Sequence, residues 1–397
     1  MRARVAIAVA LLLIGLAAFN YLRPIPAVAA AVDLPATTTV EGAPPDLPWP
    51  TAGSAAVAAG GLGFIASSAV SETPVPAASV TKVMTALLVL TDKPMVVGDP
   101  GPTLTLTEAD VAAYQASAAN GESVVPVQAG EELTELKALE ALLIPSANNI
   151  AFTLARWDAG SLPAFVTKMN AQAKALGMTH TTFADASGAS PESVSTPTDL
   201  VTLGMQAMKL PVFALIVSLP SATIPVAGLV YNVNAVLGQG GIIGIKTGSG
   251  LRTGANFLYA ASVQVGVYRI VLYGCVMGQP TLARAFSAAL ALVSAMQRSV
   301  TVHRVVSRNQ TVGSFQPPWG GHADLVANVD VDLVEWPGMV LREDVNVPDL
   351  VISQPIGDGA NAGSLHLSLG DYRLTVPLVT AGSLFPPGRV WRLTRLN

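Results

Sequence analysis

Ser79 and Lys82 stand three residues apart at the expected start of a helix, where side chains at that spacing share one face of a turn. That sets a hydroxyl nucleophile beside an amine base. The pair alone is commonplace, since serine often caps a helix. Two further groups add weight to it. Ser146-Ala147-Asn148 follows Pro145 in a break between helical stretches, so a hydroxyl and an amide can face a cleft instead of pairing along a helix. Lys246-Thr247-Gly248 ends a strand rich in glycine and isoleucine, and Ser249 and Gly250 after it let another backbone come close. The separations, 67 residues from Ser79 to Ser146 and 100 from Ser146 to Lys246, suit a helical lobe inserted into a sheet.

The elements that must hold these groups follow from pattern. The chain has 397 residues, 51% hydrophobic and 12% charged, which excludes disorder and is long enough for two domains. Lys+Arg of 22 against Asp+Glu of 26, a net charge of −4, argues against a nucleic-acid partner. A single cysteine, Cys275, excludes an intramolecular disulfide, and its apolar surroundings read as core. His180, His303, His322 and His366 are isolated, so neither a metal site nor a Ser-His-Asp triad is expected, and no cofactor.

Val5 to Phe19 is an uninterrupted apolar run behind Arg2 and Arg4. The arginines place the N-terminus in the cytoplasm and the body of the protein outside. Ala27, Ala29 and Ala31 offer cleavage sites, whereas Arg23, Pro24 and Pro26 stand between them and the apolar run, so residues 1–30 fit a signal peptide or an uncleaved anchor. Residues 31–51, rich in Pro, Ala and Thr, read as a flexible tether. Residues 52–298 form the domain that carries all three groups. Helices are expected at 132–143, 150–157, 162–176 and 197–208, short strands after Pro211 (241–246, 256–263, 268–277), and a long apolar helix at 282–296. Residues 299–397 read as a separate β-rich domain, with Pro/Gly turns between short alternating strands.

Ser-x-x-Lys, a Ser-x-Asn type element and Lys-Thr-Gly, in that order, are the motif set of penicillin-binding proteins and serine β-lactamases. The chain resembles the low-molecular-weight penicillin-binding proteins of the D-alanyl-D-alanine carboxypeptidase type. The likeness extends through Ala78 to Thr85, Leu176-Gly177-Met178 with Thr182-Phe183, Ser195-Thr196 with Asp199-Leu200, and Gly244 to Gly248, and reaches the C-terminal module at Pro355-Ile356, Gly359, Gly363 and Pro377-Leu378. It implies an α/β fold: a serine β-lactamase/transpeptidase-like domain, its antiparallel sheet carrying helices and a helical lobe, followed by the small β-rich domain.

The resemblance also implies an acyl-serine mechanism on peptidoglycan stem peptides ending in D-alanyl-D-alanine, with β-lactams as inhibitors. Ser79 would be the nucleophile and Lys82 its base. Neutralising an ordinary lysine at pH 7 costs about 4 to 5 kcal/mol, and burial with Lys246 as a second cation would reduce that. Ser146 would relay protons to the leaving D-alanine and Asn148 would orient Lys82 and the substrate amide. Lys246 and Thr247 would receive the terminal carboxylate, Gly248 would let the strand approach, and Ser249 would supply the second oxyanion N–H. Arg284 fits either the carboxylate site or the surface.

The run Ser249-Gly250-Leu251-Arg252 also resembles class A β-lactamases, but their Glu-x-x-Leu-Asn loop is missing, since Glu192 is followed by Ser193-Val194-Ser195. Many relatives end in a membrane-binding C-terminal helix; here the last stretch is Trp391 to Asn397, and membrane attachment, if the leader stays, is expected through the N-terminal segment. A β-lactamase, a D,D-endopeptidase and a non-catalytic penicillin-binding sensor or scaffold are the alternatives.

Overall fold

In the computed structural model, which describes residues 2–250 and 254–395, the chain divides into two units. Leu251 and Arg252, part of the β-lactamase-like run, lie outside the described residues, as do Leu396 and Asn397.

The first unit, Pro44–Thr301, is built on a five-stranded sheet in the order Ile242–Gly250, Gly254–Val265, Tyr268–Gln279, Ser54–Ala59, Gly63–Ser67, each pair antiparallel. Lys246-Thr247-Gly248 therefore lies on an edge strand. The central strands read as near-continuous apolar runs because both faces are covered. Phe257 stacks edge-on against Phe286 of the Leu282–Ser299 helix, ring centroids 5.0 Å apart. Its neighbour Leu258 points the opposite way, toward Gly204 of the Pro197–Ala207 helix, where a Cβ would come within 3.1 Å of the leucine. Cys275 pairs with Leu258 across the sheet and is wholly buried, and burial pushes its thiol pKa up.

The helical lobe comprises Lys82–Asp92, Glu108–Ala119, Glu135–Leu143, Asn148–Ala159 and Leu162–Ala175. Serine and threonine caps define several starts: Thr134 accepts from the Lys137 N–H, Ser161 from Ala164 and Thr196 from Asp199. Two stretches depart from expectation. Glu132–Thr134 pairs as a strand with Thr103–Thr105, so the helix expected from Glu132 begins at Glu135, behind its cap. Pro211–Val217, expected to open a strand region, is a short helix whose proline occupies the first turn, where its missing N–H costs nothing.

The second unit joins Met1–Ala43 to Val302–Asn397. Its seven-stranded sheet runs Ala30–Val32, Thr311–Phe315, Ala323–Ala327, Tyr372–Ala381, Asn361–Leu369, Val340–Asn346, Thr37–Thr39. This corrects the reading of residues 31–51 as a free tether: two pieces of it close both edges of the sheet. Exposed edges attract foreign strands, and Thr37–Thr39, a β-branched run paired with Val340–Arg342, covers one. The partners lie some three hundred residues away, so no local pattern announces the pairing. Three histidines expected to stand alone have acidic neighbours, His303 beside Glu335, His322 beside Asp324 and, in the first unit, His180 beside Glu72.

Candidate active site

Ser79 lies in a 3-10 turn, Ala78–Thr81, that runs into the Lys82–Asp92 helix. Ala78 adopts φ 49°, a left-handed conformation that costs a residue with a Cβ roughly 1 to 2 kcal/mol. Surrounding backbone over-determines it. Asn256, wholly buried and opposite Gly248 in the sheet, donates to the Pro76 and Ala77 carbonyls at 2.9 and 3.1 Å and accepts from the Gly278 N–H at 2.9 Å. A Cβ on Gly248 would stand 2.9 Å from the Ala77 oxygen and 3.1 Å from the Ser79 nitrogen. One on Gly188, whose φ is +79°, would stand 1.8 Å from the Ala78 oxygen. The two glycines let an edge strand and a loop close on the Ser79 turn from different directions.

Lys82 is wholly buried, and its Nζ donates to Ser79 Oγ at 2.8 Å, Asn148 Oδ1 at 2.5 Å and the Ser187 carbonyl at 2.8 Å. Three acceptors match the three protons of an ammonium. A neutral amine has two protons and a lone pair; with Asn148 and Ser187 taking the protons, the lone pair faces Ser79 Oγ. The same cage thus holds both the charged form and the base. Burial, followed by the like charge of Lys246, pushes the Lys82 pKa well below that of a free lysine, while Asp185 and Glu122 oppose the shift.

Asn148 opens the Asn148–Ala159 helix and its backbone N–H donates to the Ser123 carbonyl at 2.7 Å. Its side-chain Nδ2 donates to Glu122 Oε2 at 2.7 Å, which turns Oδ1 toward Lys82. Ser146 is buried at φ 69°. Its hydroxyl has no hydrogen-bond partner among the described residues and is not bonded to Lys82. Lys246 is 2% exposed and donates to the Thr247 carbonyl at 3.0 Å; burial lowers its pKa to about 7. Thr247 is buried beside it. Ser249 lines a cleft of about 870 Å³ with Ser79, Asn120, Glu122, Asn148 and Gly188. Arg284 is exposed at the first turn of its helix and outside that lining.

Three contributors escaped the sequence reading. Glu122 lies in the Asn120 to Ser123 turn, where an acidic side chain looks merely solvated. Asp185 organises its loop by accepting from the backbone N–H groups of Ser187, Gly188 and Ser190; Asp-Ala-Ser-Gly is a turn signature that could have flagged it. Asn256 sits inside a strand, and a buried amide there is the kind of polar group that needs a partner.

A serine, a lysine and an asparagine bonded together beside a buried lysine on a sheet edge form a specific geometry, and similarity to known proteins agrees with it. A profile of the D-alanyl-D-alanine carboxypeptidase family, Peptidase S11, matches residues 44–281. The chain belongs to that family. It is 36% identical over 217 residues to D-alanyl-D-alanine carboxypeptidase DacB2 of Mycobacterium tuberculosis, covering 52% of this chain and 69% of the relative. It is 31% identical over 199 residues to a D-alanyl-D-alanine endopeptidase of Pseudomonas aeruginosa, covering 49% of this chain and 61% of that protein. Among solved structures, the Streptomyces K15 DD-transpeptidase superposes with a TM-score of 0.56 at 25% identity, over 63% of this chain and 98% of its own. The Peptidase S11 match spans all three motifs and stops at the start of the Leu282–Ser299 helix.

Proposed function

We infer that this family member is a serine-type D,D-carboxypeptidase that removes the terminal D-alanine of peptidoglycan stem peptides through an ester on Ser79. Ser79 Oγ attacks the carbonyl between the two D-alanines while neutral Lys82 takes its proton. The N–H groups of Ser79 and Ser249 meet the developing oxyanion. Asn148 keeps Lys82 aimed, Ser146 passes a proton to the departing amine, and Lys246 with Thr247 holds the substrate's terminal carboxylate. Gly248 keeps the strand close enough for these contacts. Water then hydrolyses the ester, and β-lactams acylate the same serine. The observation that carries this reading is the three-acceptor cage around Lys82, which retains a lone pair for Ser79 once the amine is neutral.

The substrate lies outside the cytoplasmic membrane. The Arg2–Leu22 helix is long and apolar enough to cross a bilayer, which fits a signal sequence or an anchor for an exported enzyme.

Mass spectrometry after mixing the protein with a D-alanyl-D-alanine peptide and, separately, with penicillin tests this reading. Repeated release of D-alanine and a slowly decaying one-to-one penicilloyl adduct are expected, and the adduct vanishes in Ser79→Ala. Fast turnover of penicillin without D-alanine release would assign a β-lactamase. Cleavage restricted to internal cross-linked peptides would assign an endopeptidase. An adduct with no peptide product would assign a sensor.

A further inference from the structure

The apolar N-terminal helix is built into the β-rich unit by contacts that a discarded leader would not have. Asn20, near its outer end, is 9% exposed and donates through Nδ2 to the Leu393 carbonyl at 3.3 Å and the Arg395 carbonyl at 3.0 Å. Arg395, 6% exposed, donates to the carbonyls of Asn20 at 2.8 Å, Arg23 at 2.6 Å and Pro24 at 2.9 Å. The last carbonyls of a helix have no partner within it, and this guanidinium supplies one. Arg392 donates to the Tyr21 carbonyl at 2.7 Å, its guanidinium lying 4.5 Å from the Tyr21 ring centroid. Beyond the helix, Val28 forms a β-bridge with Leu350, and Ala30–Val32 is an edge strand. The small residues that could serve a signal peptidase, Ala27, Ala29 and Ala31, flank that bridge or lie in that strand. Cleavage there would strip Arg395 of its partners.

The short Arg389–Thr394 helix that grips the anchor also presents an apolar surface. Phe385, Val390 and Leu393 are 61%, 74% and 40% exposed. Beside them Trp319 donates its indole N–H to the Phe385 carbonyl and packs edge-on against Trp391. Aromatic residues mixed with arginine, where a membrane-spanning helix emerges, have the composition of a bilayer interface. The short helix packs against a 21-residue helix whose large apolar side chains from Val5 to Phe19 are exposed, long enough for about 30 Å of hydrocarbon.

We propose that the Arg2–Leu22 helix remains on the mature protein as its membrane anchor, clamped by Asn20, Arg392 and Arg395, and that Phe385, Val390 and Leu393 rest in the outer bilayer interface. The β-rich unit is then a membrane-seated foot, and this does not depend on the catalytic reading. The full chain, produced in a bacterial host, provides the test. Its intact mass should retain residues 2–27, and it should stay in the membrane fraction through high-salt and alkaline washes. A mature chain beginning at residue 28, 30 or 32, or release into the wash, would overturn the anchor.

The clamp and the foot have their own readouts, which the burial of Cys275, the one native thiol, makes selective. A short bis-maleimide should link Phe19→Cys, exposed beside Asn20, to Leu393→Cys within one chain, which leaves Asn20, Arg392 and Arg395 in place, with a far-ultraviolet spectrum like the parent's reporting that the variant is folded. In vesicles of anionic phospholipid, a fluorophore on Val390→Cys should be quenched at least twofold by spin-labelled lipid. A folded variant that does not cross-link refutes the clamp; an unquenched label refutes the foot.

Discussion

Lys82 and Glu135 are both wholly buried charges in the same folded unit, and both have strongly displaced pKa values. Their surroundings differ in kind. Lys82 has an acceptor for every proton, drawn from the Ser79 turn, the Asn148 helix and the Asp185 loop. Glu135 has no hydrogen-bond partner for either oxygen among the described residues, and burial, against the attraction of Lys93, raises its pKa to about 7. A displaced pKa by itself therefore marks burial. What marks a site is convergence of separate chain segments on the displaced group, leaving its reactive lone pair aimed at a nucleophile.

That convergence is most exposed to damage where backbone meets backbone. Gly188→Ala adds a methyl 1.8 Å from the Ala78 oxygen at a φ of +79°, and the turn carrying Ser79 must move. Displacements of about 1 Å in a catalytic array cost roughly a hundredfold. The penicillin acylation rate should fall by at least that, with the far-ultraviolet spectrum retained. A variant that acylates at the parent rate would mean that the loop does not position the nucleophile.

Lys246 tests the second buried cation. Removing one charge-assisted hydrogen bond to a substrate carboxylate costs about 1.5 to 3 kcal/mol, roughly ten- to a hundredfold, so Lys246→Ala should lower kcat/KM for a D-alanyl-D-alanine peptide by that factor. Because burial brings its pKa to about 7, the free enzyme loses the cation as the pH rises past that value. Deprotonation of Lys82, whose pKa burial and Lys246 also lower, favours attack, so the two act in opposite directions. The falling limb above about pH 7 should appear with a carboxylate-ended peptide and disappear with its C-terminal amide. Identical profiles for the two substrates would remove Lys246 from carboxylate binding.

How far these arrangements could be foreseen depends on how local their signals are. Ser79 and Lys82 sit within one turn, and the resemblance brought Asn148 and Lys246 to the same cleft. The sheet strands were readable because apolar runs such as Ile270 to Met277 need two covered faces. Asp185, Glu122 and Asn256 matter only through partners brought close by folding, with chain separations of 105 residues for Ser187 and Lys82 and 179 for Asn256 and Ala77. The edge strands Ala30–Val32 and Thr37–Thr39 failed for the same reason. Their three residues carry too little pattern to outweigh the Pro/Ala/Thr composition around them.

Glu122 acts at one remove from Lys82. Its carboxylate accepts from Asn148 Nδ2, and its charge favours the protonated form of Lys82. Glu122→Gln keeps an acceptor for Asn148 while removing the charge. Lys82 should then deprotonate at lower pH, so the rising limb of the acylation profile moves to lower pH, with a change of several-fold or less in the plateau rate. Glu122→Ala, which also frees the Asn148 amide, should reduce the plateau itself. Two variants with the same profile, both unmoved from the parent, would reduce Glu122 to a surface carboxylate.

Glu135 should affect stability and leave chemistry alone. Its folded pKa is raised from 4.5 to about 7, so between those values the unfolded chain has released a proton that the folded chain still holds. Stability from this group is therefore complete below about pH 4.5 and declines as the pH rises through 7. Above that range the folded state carries an ionised carboxylate with no hydrogen-bond partner among the described residues, at the first turn of the Glu135–Leu143 helix, where the helix dipole compensates only in part. Glu135→Gln keeps the shape and removes the ionisation. The variant's melting temperature should gain on the parent's by a few degrees between pH 5 and pH 8, with penicillin acylation unchanged. A difference independent of pH would show that the carboxylate finds solvent or a cation when charged, and the contrast with Lys82 would then be one of access to water, with the convergence of partners no longer the distinguishing feature.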